Sequence, residues 1–295
     1  MISVCTKQPV PMGSSVQMVH LNLENPARGA FLTLSNFYKQ FILTFFEMVA
    51  KVVAFTHHKG GTGKTSSCIS IAGYLVHADK RVLVIDLDPQ ANATSGLGVS
   101  AVKQTMFHVL NGWVSLQNTI VPTATEGIDL APSSIDLAKC NKASYNKKAD
   151  ALQLHHVLKE VKHKYDYIFI DTAPNYGHFI INAALAADDV FLVADPGIFA
   201  VEGIATLQNA FHKYKAVQKK VNVSGIILNK CRSFPLLGGL TKDIKATLAK
   251  EQTTLFTVPL SDKIGYSQMA GLPISHYKPY CKAGMAYKKI AEFLL

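Results

Sequence analysis

The sequence predicts an α/β fold, in which a doubly wound, mostly parallel sheet is covered by helices on both faces. Three observations lead to this prediction. Short apolar runs alternate with helical stretches from Val49 onward, a glycine-rich turn joins the first run to a helix, and two later runs end in aspartate. Strands buried on both faces read as near-continuous apolar runs, and strands alternating with helices form parallel sheets. The 295 residues suffice for one large domain or two small ones.

The elements follow from the periodicity of the apolar residues. Strands are predicted at residues 52–56, 82–86, 167–171, 190–194, 223–228 and 254–258. Helices are predicted between them, at residues 65–78, 152–163, 180–186, 204–218 and 241–251, and a last helix is predicted at 282–294.

Residues 1–47 differ from the rest of the chain. Up to residue 28 they are rich in proline, glycine and serine without a sustained period, which is typical of loops. The apolar stretch 31–46 is interrupted by Lys39 and is too short for the roughly 20 residues of a spanning helix. We expect a poorly ordered or accessory extension at 1–47 and the folded domain at 48–295, with Met48 as a candidate start. The alternative is a partner-binding or peripheral membrane helix.

The charge is unevenly distributed. The net charge is +10, and residues 201–295 carry +9 of it, with fourteen basic and five acidic side chains. Clustered lysines and arginines bind nucleic acid by releasing its counterions, although lysines also solubilise any surface. The five cysteines are scattered and lack C-x-x-C spacing, which favours reduced thiols in a cytosolic setting over a disulfide framework or a zinc site.

The most informative stretch is KGGTGKT at residues 59–65, between the first strand and the first helix. In a strand–loop–helix, backbone N–H groups and the positive end of the helix dipole point into one phosphate-binding concavity. Lys64 is placed to reach the β- and γ-phosphates, and the Thr65 hydroxyl to ligate Mg²⁺. The strict phosphate-loop pattern has glycine where this chain has His58, so the loop is a variant with a second lysine, Lys59.

Two predicted strands end in aspartates. Asp86 and Asp88 occupy alternate positions and therefore point the same way on an extended strand. Asp171 ends a second apolar strand, which looks like a Walker B element whose carboxylate holds Mg²⁺. Any one of these aspartates would also suit a turn or a helix cap. Three of them at strand ends beside a phosphate loop favour a nucleotide site.

The motifs KGGTGKT, VLVIDLDPQANATSGLG, YDYIFIDTAPNYG, FAVEG and GLPISHYKP together resemble the ParA family of partition ATPases, within the ParA/MinD group of deviant Walker A proteins. The resemblance covers residues 49–295. It implies a P-loop NTPase fold, and ATP and Mg²⁺ as cofactors.

The resemblance implies a role for each motif residue. Lys59 would reach across an ATP-sandwich homodimer to the partner's nucleotide, Lys64 would bind phosphate, and Asp88 would position the attacking water. The metal would be held by Thr65 and Asp171, with Asp86 supporting the network on that side. The nucleotide would be bound by Gly60, Gly61, Thr62, Gly63, Lys64, Thr65 and Ser66, and its adenine by Asn229 and Pro259. Asn229 would equally suit a turn.

The resemblance also implies partners. In the family, ATP-bound dimers bind nonspecific double-stranded DNA through surface Lys/Arg, and a ParB-like centromere-binding protein stimulates hydrolysis. We expect a cytoplasmic, nucleoid-associated protein without stable membrane association. The candidate DNA contacts are Lys213, Lys215, Lys219, Lys220, Lys230, Arg232, Lys242 and Lys245.

Two alternatives to a partition ATPase stay open. One is a MinD-like or cargo-positioning ATPase that acts on a protein complex or a membrane surface. The other is an ATP-gated DNA-binding scaffold with negligible turnover. The run DLDPQAN at residues 86–92 resembles the partition branch more than the MinD branch.

Overall fold

The computed structural model describes residues 49–141, 151–174, 177–196, 221–232 and 253–295. Its strands are β1 (Lys51–Thr56), β2 (Val82–Leu87), β3 (Val121–Pro122), β4 (Ile128–Ala131), β5 (Tyr167–Thr172), β6 (Asp189–Ala194), β7 (Val223–Cys231) and β8 (Thr254–Pro259). They form one sheet in the order β3-β4-β2-β5-β1-β6-β7-β8. All neighbours pair in parallel except β3 and β4, which are antiparallel. The predicted α/β fold with a mostly parallel sheet is confirmed.

The helices of the described residues lie between and after the strands. They are α1 (Lys64–Val76), α2 (Asn92–Gly96), α3 (Met106–Leu110), α4 (Gln153–Leu158), α5 (His178–Ala186), α6 (Asp262–Met269), α7 (Ile274–Tyr277) and α8 (Lys282–Leu294). Two 3₁₀ helices cover Ile135–Asn141 and Lys162–Lys164. None of the described helices combines the length and the apolar character needed to cross a lipid bilayer.

Both faces of the sheet are covered, because successive strand side chains point to opposite faces. Val53 and Phe55 of β1 belong to a buried cluster that also contains side chains of α1 and α8. Their neighbours Val52 and Ala54 belong to a second cluster, built with α3, α4 and α5. Full burial of a valine or phenylalanine side chain such as these contributes about 1.5–3 kcal/mol. The sheet is therefore the middle layer of three, as a doubly wound fold requires.

The strand order brings the motif residues together. In the parallel register of β2 and β5, Asp86 lies directly opposite Asp171. On the other side of β5, Asp171 lies opposite Phe55, close to the end of β1. The phosphate loop follows β1 directly, so the loop and both aspartate strands meet at the carboxyl edge of the sheet.

The structure extends and corrects the predicted elements. All six predicted strands are present, and the helix predicted at 282–294 matches α8. The helix predicted at 152–163 is instead broken, because α4 ends at Leu158 and a separate 3₁₀ turn begins at Lys162. The prediction missed β4, which has only four residues, and α6, whose composition is polar. The expected extension at 1–47 and the helices predicted at 204–218 and 241–251 lie outside the described residues.

Candidate active site

A cavity of about 730 Å³ opens at the carboxyl edge of the sheet, beside the glycine-rich loop. Most of its walls come from the loop with the start of α1, from the turn after β2 with α2, and from α6, and single residues are added by β7 and by the segment after β5. The walls include Gly61, Gly63, Lys64, Thr65, Ser66, Asp88, Lys230, Gln268 and Met269.

The loop conformation depends on its glycines. Gly61 and Gly63 have φ angles of 75° and 93°, in the left-handed region that side chains disfavour. Gly63 is also the N-cap of α1, which begins at Lys64. A Cβ atom on Gly63 would lie 1.9 Å from Nδ2 of Asn229, so position 63 has no space for a side chain. The glycine pattern therefore fixes where the helix begins, and with it where its free N–H groups point.

Lys64 is buried at the start of α1. It is only 6% exposed, and its Nζ donates a hydrogen bond to the carbonyl of Lys59 at 3.3 Å. Burial lowers the pKa of the Lys64 ammonium, against the opposing effect of the charges on Asp171 and Asp88. A polyanion in the cavity would favour the charged form, which is the chemistry expected of a phosphate-binding lysine.

Thr65 and Asp171 form the closest polar pair of the predicted metal residues. The Thr65 hydroxyl donates to Oδ2 of Asp171 at 2.6 Å. The other oxygen, Oδ1, is buried without a hydrogen-bond partner in the described part of the protein. Burial, and then the charge of Asp86, raise the pKa of Asp171 to about 8. A buried carboxylate with an unpartnered oxygen needs a cation or an ordered water beside it.

These residues fit Mg²⁺ held jointly with a nucleotide. Mg²⁺ prefers oxygen ligands and is usually bound by one or two carboxylates together with substrate phosphates and waters. Thr65 lines the cavity with its hydroxyl, and the carboxylate of the fully buried Asp171 lies behind it, bonded to that hydroxyl. Within the described residues no cluster of three or more His, Cys, Asp or Glu side chains is built to hold a metal by itself. The donor set therefore suits an ion that arrives with phosphates.

Asp86 fixes the turn that carries Asp88. Oδ1 of Asp86 accepts the N–H of Asp88 at 3.0 Å, and Oδ2 accepts both the N–H and the hydroxyl of Thr94 at 2.8 Å each. Burial raises the pKa of Asp86 to about 6, although these hydrogen bonds act in the opposite direction. Because both oxygens accept hydrogen bonds from the protein, the contribution of Asp86 to the metal side is indirect in this arrangement.

Asp88 lines the cavity at the turn after β2. Its side chain is 6% exposed, and Oδ1 accepts the N–H of Gln90 at 2.9 Å. This contact orients the carboxylate within a short turn. Its predicted role towards the attacking water stays a prediction, and its position on the cavity wall is compatible with that role.

Lys59 lies on the surface of the loop. Its Nζ is 3.3 Å from Oδ2 of Asp195, just after β6, and its side chain is 49% exposed. Contact between Lys59 and the nucleotide of a second subunit requires a dimer, and it stays a prediction.

The two residues predicted at the adenine lie apart. Nδ2 of Asn229 donates to the carbonyl of Thr62 at 3.1 Å, so this side chain holds the loop. Pro259 lines a different cavity, between β8 and α8. The structure therefore shows Asn229 at the loop and does not bring Pro259 into the main cavity; adenine contact by either residue stays a prediction.

The structure describes two of the eight candidate DNA contacts, Lys230 and Arg232. Lys230 is exposed, has a left-handed φ of 56°, lines the main cavity and donates from Nζ to the carbonyl of Gly61; contact of this lysine with DNA stays a prediction. Arg232 is exposed at the end of β7. The other candidates lie outside the described residues: Lys213, Lys215, Lys219, Lys220, Lys242 and Lys245.

Sequence reasoning missed several residues of this site. Gln268 of α6 accepts the Ser66 hydroxyl at 3.3 Å, and the buried Tyr287 of α8 lies 3.3 Å from the side-chain oxygen of Asn229. Thr94 follows the Asp88 turn and anchors Asp86. The only local signal for any of them is the position of Thr94 in the motif after β2, because the other two come from the far end of the chain.

Comparison with known proteins agrees with this geometry. A family model described as an AAA domain matches residues 50–224. The chain is 31% identical over 252 residues to the chromosome-partitioning ATPase Soj of Treponema pallidum, an alignment that spans 83% of this chain and 96% of that protein. It is 30% identical over 250 residues to the sporulation initiation inhibitor protein Soj of Bacillus subtilis, spanning 83% and 98%. Among solved structures, the septum site-determining protein MinD of Pyrococcus horikoshii complexed with Mg-ADP aligns with a TM-score of 0.65 at 27% identity, covering 83% of this chain and 96% of that chain.

Proposed function

The chain belongs to the ParA family of partition ATPases, and from this premise we propose that it dimerises on ATP, binds nonspecific DNA and hydrolyses ATP to segregate a plasmid or a chromosome. The observation that carries the proposal is that Lys64, Thr65 and Asp88 line one cavity, with the buried Asp171 bonded to Thr65 at the start of α1. These residues supply a cation suited to phosphate, two oxygen groups suited to Mg²⁺ and a further carboxylate, which are the groups that the proposed reaction requires.

The residues divide the chemistry of phosphoryl transfer between them. That reaction depends on positioning and on charge stabilisation more than on covalent catalysis. The loop N–H groups and Lys64 would bind the phosphates, while Thr65 and Asp171 would hold Mg²⁺, which would neutralise phosphate charge. Asp88 orients the attacking water, and Asp86 keeps the Asp88 turn in place through its hydrogen bonds.

Dimerisation adds the group that the single chain lacks. Lys59 lies at the edge of the loop with half of its side chain exposed, where a second copy can approach it. In the proposed ATP sandwich, Lys59 of each subunit stabilises charge on the other subunit's nucleotide. Hydrolysis then depends on association, and a ParB-like partner that stimulates hydrolysis would release the dimer from DNA.

A complementation experiment with Asp88→Ala and Lys59→Ala tests the proposal. Each variant alone should bind ATP and show almost no Mg²⁺-dependent phosphate release, because each removes one group from both sites of a homodimer. A heterodimer has one site with its own Asp88 and with Lys59 from the other chain. An equal mixture should therefore regain activity, up to about a quarter of the parent rate if chains pair at random.

The controls separate the parts of the proposal. Phosphate release by the parent protein should disappear when Mg²⁺ is chelated. Unchanged turnover in Asp88→Ala would refute the role of Asp88, and a mixture no more active than its components would refute the contribution of Lys59 in trans. A parent protein that binds ATP and DNA without turnover would favour the ATP-gated scaffold instead.

A further inference from the structure

The C-terminal helix α8 brings a buried hydroxyl beneath the phosphate loop. Tyr287 of α8 is fully buried in the core cluster that contains α1. Its hydroxyl accepts a hydrogen bond from the Ser67 hydroxyl of α1 and donates one to Oδ1 of Asn229 at the end of β7, both at 3.3 Å. A buried tyrosine hydroxyl is stable only with such partners, so its position is set by α1 and β7 together.

Asn229 connects Tyr287 to the phosphate loop by further hydrogen bonds. Its Oδ1 also accepts the N–H of Lys230 at 2.9 Å, while its Nδ2 donates to the carbonyl of Thr62 at 3.1 Å. If the amide rotated by half a turn, its NH₂ group would face the N–H of Lys230, and its oxygen would face the carbonyl of Thr62. Neither pair can form a hydrogen bond. The two donors on Oδ1 therefore keep the NH₂ group of Asn229 on the Thr62 carbonyl.

The Thr62 carbonyl shares a planar peptide unit with the N–H of Gly63, and the two groups point in opposite directions. Gly63 lines the cavity. Holding the carbonyl on Asn229 therefore also fixes the direction of the Gly63 N–H. We propose that Tyr287 is a positioning residue of the nucleotide site, which acts through Asn229 to hold the Thr62–Gly63 peptide in the orientation that binds phosphate. This inference rests on the proposed function, because its ligand is the nucleotide.

The test is Tyr287→Phe in the full chain, since this change removes the hydroxyl and keeps the ring. Loss of the hydroxyl leaves Oδ1 of Asn229 and the Ser67 hydroxyl each without one buried partner, so that only the N–H of Lys230 still opposes rotation of the Asn229 amide. We expect Mg-ADP to bind about tenfold more weakly in a calorimetric titration, because binding must then hold the Thr62–Gly63 peptide in place without the energy of about one hydrogen bond. The KM for ATP should rise in parallel while kcat changes by less than about twofold, because Tyr287 has no contact with Asp88.

Tyr167→Phe is the matched control. Tyr167 is also buried, and its hydroxyl donates to the carbonyl of Leu294 at 2.7 Å, so it too joins the sheet to α8. Both variants should lose a similar amount of thermal stability, but only Tyr287→Phe should lose nucleotide affinity. In an Asn229→Ala background, Tyr287→Phe should weaken binding by no more than about twofold further, because the two residues act as one unit.

The outcomes distinguish this inference from the function on which it rests. If the parent protein binds Mg-ADP and Tyr287→Phe binds it equally well, the positioning role is wrong and the proposed function stands. If Tyr167→Phe loses as much affinity as Tyr287→Phe, the effect is a general loosening of α8 and the inference is also wrong. If the parent protein binds no nucleotide, the proposed function fails and the inference fails with it. Should Asn229→Ala not fold, the comparison of the two tyrosines decides alone.

Discussion

Position 63 of the phosphate loop combines two requirements that only glycine meets. The backbone there has a φ of 93°, which strains any residue with a Cβ atom. The space beside it is filled by the amide of Asn229, whose hydrogen bond to Thr62 holds the loop. The residue that holds the loop thus also blocks any side chain at position 63.

Gly63→Ala should therefore destabilise the folded protein more than another glycine substitution with the same backbone strain. Gly112 has a φ of 73° and no atom within 4 Å of an added Cβ, so Gly112→Ala reports the strain alone, about 1–2 kcal/mol. Gly63→Ala should cost a further ~1–3 kcal/mol for the steric overlap with Asn229. Urea unfolding of the two variants measures the difference, and equal losses would mean that Asn229 moves aside without cost.

At the scale of the elements, a buried carboxylate ties the amino ends of three strands together. Asp189 begins β6 and accepts hydrogen bonds from Lys51 of β1 at 2.8 Å and from Asn222, just before β7, at 2.8 Å, as well as from the Ser224 hydroxyl. Burial alone would raise the pKa of Asp189, but these donors and the charge of Lys51 outweigh it and lower the pKa below its usual value. The edge of the sheet opposite the active site is therefore held by charge-assisted hydrogen bonds.

Asp189→Asn should lower the free energy of unfolding at pH 7 by about 1–3 kcal/mol, because it weakens these hydrogen bonds. A carboxyl group with a lowered folded-state pKa contributes stability above its unfolded pKa of about 3.9 and loses it as pH falls through the folded-state pKa. The difference in the free energy of unfolding between the parent and the variant should therefore become smaller below about pH 4. Denaturant unfolding at several pH values checks this.

The control for that experiment is Asp136→Asn, whose carboxylate pairs with Lys139 on the surface. Exposed pairs of this kind contribute at most about 1 kcal/mol, so this variant should stay close to the parent protein. If the loss of unfolding free energy in Asp189→Asn stays constant down to pH 3, the charge of the Asp189 carboxylate does not contribute to stability.

At the scale of the whole molecule, the distribution of charge is the property on which the proposed binding to DNA depends. The last third of the chain carries +9, whereas residues 48–200 carry thirteen basic and thirteen acidic side chains. Contacts to DNA phosphates act uniformly across sequences and release counterions, so the proposed binding should depend steeply on salt.

We expect ATP-dependent binding to a mixed-sequence duplex to weaken at least tenfold, as a rough lower bound, between low and physiological salt. The double variant Lys219→Glu/Lys220→Glu should weaken it further at any one salt concentration. The matched control is Lys103→Glu/Lys159→Glu, which makes the same change in net charge at two exposed lysines outside the basic third. Fluorescence anisotropy with and without ATP measures all three proteins. Equal losses in the two double variants, or tight binding without ATP, would count against a DNA-binding face in the last third.

Much of the fold follows from local pattern alone. Each of the six predicted strands is a short apolar run, and burial on both faces of a parallel sheet requires such runs. The loop was recognisable because glycine, lysine and threonine must follow one another along the chain to bind phosphate. Elements without a strong local pattern were missed, such as β4 with four residues and the polar helix α6.

The sequence by itself determined the sheet, the loop and the aspartates at the strand ends, because the chemistry of each lies within a few consecutive residues. Only the tertiary structure decided what holds them. Asn229 reaches Thr62 across 167 positions, Tyr287 reaches Ser67 across 220, and Lys230 reaches Gly61 across 169. These contacts exist because α8 packs on α1 and because β7 lies two strands from β1. Hydrogen bonds between such distant positions depend on packing geometry, which no local pattern specifies.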